Sequence, residues 1–138
     1  MHCCDSSRLL RISLLSNAVF SAVSGMIFVA ASTSISPLID LPLPSILTVI
    51  GISLVIFAIL LTCNATRKKV NLVEAWIAVT LDIVWVSGSG VVIFAGTLNS
   101  TGNWGVAILA DIVLMFALLQ YWGLCKIHKT TKVNSNCR

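Results

Sequence analysis

Four apolar runs, residues 9–31, 46–63, 75–98 and 104–124, limit what this chain can fold into more than anything else in it. A hydrocarbon layer of about 30 Å takes roughly 20 apolar residues of helix to cross, and each run is of that order. The joints between them are a proline-rich loop with Pro37, Pro42 and Pro44, a basic loop around Arg67, and a very short link from Asn99 to Asn103. They leave no room for a separate soluble domain. Residues 1–138 therefore read as one transmembrane domain with an all-α, polytopic fold of four membrane-spanning helices. Composition agrees, with 57% hydrophobic and 10% charged residues and a mean hydropathy of +0.98, far above a soluble domain.

The first run is expected to stay in the membrane. Arg8 and Arg11 precede it and Val29, Ala30 and Ala31 resemble a small-residue cleavage site, but a secretory signal carries an apolar core of about 7 to 15 residues and this one is longer.

Charge supplies an orientation. The nine Lys and Arg residues fall at Arg8 and Arg11, at Arg67, Lys68 and Lys69, and at Lys126, Lys129, Lys132 and Arg138, leaving two of the three joints without any. Positive loops stay in the cytoplasm, so both termini are expected there, and the net charge of +4 reads as contact with anionic headgroups rather than with nucleic acid. Trp76, Trp104, Tyr121 and Trp122 sit near the ends of the runs, where an aromatic ring is apolar while its polar atom stays wet. Trp85 lies deeper.

All five cysteines, Cys3, Cys4, Cys63, Cys125 and Cys137, map to the cytoplasmic side, where disulfides are not expected. His2, Cys3 and Cys4 with Cys125 and His128 have the donor types for zinc or copper(I), yet no paired motif fixes a geometry, and free thiols are the expectation. No metal and no cofactor is assigned. Two Asn-x-Thr sequons, at Asn64 and Asn99, are expected to be silent, the first in the cytoplasm and the second in a loop that hugs the membrane.

The runs also repeat. The first and third align at a shift of about 65 residues, which matches Val19 with Val84, Ser24 with Ser89, Gly25 with Gly90, Ala30 with Ala95 and Asn17 with Asp82. The second and fourth align at a shift of about 59, pairing Phe57 and Ala58 with Phe116 and Ala117. Two parallel-related helical hairpins are the expected architecture, with a pseudo-twofold axis along the membrane normal. Three segments, Leu9 to Phe20, Asp82 to Ser89 and Phe116 to Tyr121, are similar to a family of small bacterial four-helix integral membrane proteins of unknown function. That resemblance covers nearly the whole chain and implies a bacterial cytoplasmic membrane. It implies no activity and no catalytic residues.

Two acids interrupt the apolar runs, Asp82 in the third and Asp111 in the fourth. A carboxyl group near the bilayer centre costs about 2.5 to 3.5 kcal/mol, so each is expected to face protein or water. They differ in depth by about 10 Å, too far to share a proton. The repeat places Asn17 level with Asp82, so these two are expected to face inward and hydrogen-bond across the first and third helices. Ser21, Ser24, Trp85 and Ser89 would extend that polar seam. Ser21 with Gly25, and Gly88 with Gly90, have the small-residue spacing that lets helices pack closely, inside the chain or against a second copy.

No phosphate-binding glycine loop, zinc-protease motif or nucleophile elbow is present, and both histidines lie in the terminal segments, so no enzyme is expected. The expected role is a non-enzymatic membrane component that packs with itself or within a larger membrane complex, its other partner being the lipid bilayer. The alternative is a proton-coupled small-molecule or ion transporter using Asp82 or, second, Asp111.

Overall fold

The computed structural model describes the backbone of residues 2–41 and 43–135, and the side chains of residues 8–41 and 43–127. The chain forms α1 (His2–Leu38), α2 (Pro44–Thr66), α3 (Leu72–Phe94) and α4 (Ser100–Ser135). Each contains a segment long and apolar enough to cross a membrane, and there is no strand among the described residues.

The distribution of polarity says what solvates this bundle. Val19, Ile59, Val84, Val91 and Phe94 are among the many large aliphatic and aromatic side chains on the outside, while Asn17, Asn64, Asp82 and Gln120 are buried. Water would favour the reverse arrangement, whereas lipid tails are as apolar as the side chains they meet and leave packing and hydrogen bonds to hold helices together. The protein is an all-α, four-helix membrane protein.

Helix ends are set by local chemistry that the apolar runs do not display. Pro37 lies inside α1, in its last turn, where its missing N–H removes a bond to the preceding turn and the helix goes no further than Leu38. The helix then stops with Asp40 in the left-handed region (φ 57°) and the Leu41 N–H folding back on the Ser36 carbonyl at 2.9 Å. Pro44 opens α2, where its fixed φ suits the first turn. Asn71 caps α3 by accepting the Val73 N–H at 3.0 Å, with Glu74 in the favourable first turn. The same helix ends at Phe94, short of the end of its apolar run, because Gly96 takes φ 63° and its N–H returns to the Ile93 carbonyl. Asn99 caps α4 through the Gly102 N–H at 2.9 Å. It also ties the two far loops together by donating to the Leu38 carbonyl at 2.7 Å.

α1 is the central helix, with 39% of its apolar window buried against 22% for each of the others. It packs along α2 and along α4, α3 packs on α4, and α2 and α3 scarcely touch. The two hairpins are thus present, but their packing is unequal. At the α1–α2 crossing Gly25 and Gly51 face each other so closely that a Cβ on Gly25 would lie 2.6 Å from the Gly51 carbonyl oxygen. The repeat puts Gly90 and Ala110 in the corresponding places. Ala110 carries the methyl group that Gly51 lacks, and a Cβ on Gly90 would meet nothing within 4 Å.

The end of the bundle bearing the basic loop is fastened by polar groups. Arg11 donates to the Ala65 carbonyl at 2.7 Å and the Lys68 carbonyl at 2.8 Å, satisfying the end of α2 from α1. Asn64 and Asn71 exchange bonds of 3.1 and 2.8 Å across the loop. Arg67 pairs with Glu74 at 2.8 Å on the surface.

Candidate functional site

A polar seam runs through the middle of the bundle, and α1 supplies its spine. Ser13, Asn17 and Ser21 recur every four residues on one buried face, so their side chains stack along α1. Asn17 donates from Nδ2 to Asp82 Oδ2 on α3 at 2.8 Å, and Ser21 donates to Asn17 Oδ1 at 3.4 Å. From α4, Gln120 Nε2 reaches the same Asp82 oxygen at 3.5 Å, the long limit for such a bond. Three helices therefore converge on one carboxyl group. Asn17 and Gln120 are fully buried and Asp82 is 3% exposed.

Of the residues singled out from the sequence, Asn17, Asp82 and Ser21 are brought together. Ser89 is not part of the seam, because its hydroxyl donates to the Trp85 carbonyl one turn back on its own helix, at 2.9 Å. Trp85 is half-buried and, with Phe20, Ser21, Ser24, Leu54 and Val113, lines a central cavity of about 10 Å³. A space of this size holds about one water molecule, far below the roughly 300 Å³ at which small-molecule sites begin. Gly25 packs as its spacing suggests. A Cβ on Gly88 or Gly90 would meet nothing within 4 Å among the described residues.

Asp111 lies apart from Asp82. It is exposed on the outside of α4, away from the seam. Each acid is expected to face protein or water, and within one chain protein encloses Asp82 and leaves Asp111 exposed. Asp111 and Gln120 are nine residues apart on α4, so the exposed acid lies roughly 13 Å along the helix from the seam.

Gln120 escaped the sequence reading, although a carboxamide inside an apolar run is the same signal that drew attention to Asn17. One of its atoms has an unusual position: Gln120 Oε1 is buried with no hydrogen-bond partner. Asn64 and Asn71 were also missed, being close to the loop. The side chains of the terminal donor set His2, Cys3, Cys4 and His128 lie outside the described residues, while Cys63 and Cys125 are free thiols. Both sequon asparagines have their side chains in hydrogen bonds, Asn64 to Asn71 and Asn99 to Leu38 and Gly102. Comparison with family models, with curated proteins and with solved structures finds no match to this chain.

Proposed function

We propose that this chain is a non-enzymatic membrane component that works by assembly, packing with itself or within a larger complex. We place it in a bacterial cytoplasmic membrane with both termini in the cytoplasm, in keeping with the basic loops and with the resemblance to small bacterial four-helix proteins. One observation carries the assembly reading. The fold satisfies the buried Asp82 internally but leaves Asp111 on its outer surface within a spanning segment. A lone chain would present that carboxyl to hydrocarbon at a cost of about 2.5 to 3.5 kcal/mol, which a protein neighbour removes. Gly88, exposed on α3 with open space around it, is a second place where a neighbouring helix fits.

The test is to extract the full chain from its native membrane in a mild detergent and measure the mass of the particle. Assembly predicts a protein mass above the 14.8 kDa of one chain. A particle of one chain contradicts it.

A second reading, proton-coupled transport through Asp82, has one observation in its favour. Ser21 both bonds to Asn17 and lines the water-sized cavity, so the hydrogen-bond chain from Asp82 reaches a space where water fits. The Asp82→Asn variant separates the two readings, since the amide keeps the size and hydrogen bonding but carries no exchangeable acid proton. A structural role predicts unchanged insertion and particle mass with unchanged proton leak in reconstituted vesicles. Transport predicts the same assembly with proton movement abolished.

A further inference from the structure

The outward face of α4 carries a pattern that the fold of one chain does not use. Trp104, Ile108, Asp111, Met115, Leu118 and Trp122 follow one another at alternating intervals of four and three residues. That is the spacing of a heptad seam, which turns one continuous stripe toward a partner helix crossing at about +20°. Every apolar member is more than half exposed, and Asp111 is exposed in their midst. From Trp104 to Trp122 the stripe runs roughly 27 Å, close to the thickness of the hydrocarbon layer, so the two indoles mark its edges.

Asp111 decides what covers this face. It lies roughly 10 Å inside the Trp104 end, and its carboxyl has no hydrogen bond among the described residues. The chain offers no cation at that depth, since the nearest basic residue along α4 is Lys126, roughly 22 Å further on. A second copy inserted in the same orientation brings a carboxyl group to the same depth automatically. Two carboxyl groups facing each other at one depth offer a hydrogen bond that no apolar partner does.

We propose that the outward face of α4 is a self-interface. Two copies pack their α4 helices in parallel about a twofold axis along the membrane normal, with Asp111 hydrogen-bonded to the partner subunit's Asp111 and fixing the register, as a single polar seam residue does in coiled coils. This rests on the assembly reading above and names its partner.

The experiment is a cysteine scan of the full chain in its native membrane, with Cys3, Cys4, Cys63, Cys125 and Cys137 replaced by serine. Single variants Ile108→Cys, Met115→Cys and Leu118→Cys are oxidised with copper phenanthroline and compared with Ile56→Cys, which is exposed on α2 at similar depth. The proposal predicts disulfide-linked dimers at the three α4 positions, at least about tenfold above Ile56→Cys. In the Leu118→Cys background, Asp111→Leu should lower the dimer by about threefold, the effect of a typical interhelical polar contact, while Asp111→Asn should preserve it. Equal linking at all four positions, or none on α4, overturns the proposal. If that occurs while the native particle still exceeds one chain in mass, the assembly reading survives with a different surface. A particle of one chain removes both.

Discussion

At the residue scale, the Asp82 carboxyl is where the chain concentrates its polar bonding, and its neighbours differ in strength. The Asn17 bond at 2.8 Å is short, whereas the Gln120 bond at 3.5 Å is at its limit. A double-mutant cycle of Asn17→Leu and Asp82→Leu, read by unfolding in detergent, should give a coupling energy of about 0.6 kcal/mol, and additive losses would show that the pair does not act together. Gln120→Leu should couple to Asp82 more weakly. The larger loss belongs to Gly25→Leu, because any Cβ there meets the Gly51 backbone. Overpacking should cost about 1 to 3 kcal/mol, while Gly90→Ala, with open space around it, should leave the unfolding of one chain unchanged. The sequence made Asn17 and Asp82 legible because a polar side chain in hydrocarbon stands out and the repeat set them at one depth. It concealed the role of Gly51, since a glycine in an apolar helix reads the same whether its neighbour is another backbone or lipid. Asp111 and Asp82 look alike in sequence for a related reason: which face of a helix meets protein depends on how the bundle closes.

Among the elements, existence and order follow from apolar length, but the ends follow from caps. The run 75–98 stops short as a helix because Ala95 and Gly96 turn the chain, and the run 104–124 begins early because Asn99 supplies an acceptor to the Gly102 N–H. Prolines read as loop markers misplace two ends, since Pro44 occupies the first turn of α2, where its fixed φ suits the helix, and Pro37 is still inside α1, which ends one residue later. Asn99 does two jobs, capping α4 and holding the Leu38 carbonyl at the end of α1. Asn99→Ala should therefore destabilise the protein by about 1 kcal/mol or more, measured by thermal unfolding in detergent, and an unchanged midpoint would show that the cap is dispensable. The unequal hairpins have a comparable local cause. Gly25 with Gly51 permits backbone contact between α1 and α2, whereas at the corresponding places of the second pair Ala110 replaces the glycine and a Cβ on Gly90 would meet nothing within 4 Å. A repeat preserved in sequence spacing is thus not preserved in packing.

For the whole molecule, topology and assembly are the two properties on which function depends. Reporter fusions after Asp40, Lys69, Asn103 and Arg138 should place the first and third outside and the second and fourth inside, in line with the basic residues at the ends and in the 67–71 loop. Any other alternation breaks the orientation proposed. The bundle has a buried, hydrogen-bonded polar centre and a water-sized cavity, which suit a scaffold better than a carrier of bulky substrates. The Asp111 carboxyl points outward from a spanning segment, which puts the work of the proposed assembly at the surface, between chains. The most direct measurement is native mass spectrometry of the full chain released from its own membrane without prior purification. Assembly through α4 predicts particles heavier than one 14.8 kDa chain, with the two-copy particle as the smallest abundant species; a population made up of single chains would contradict it.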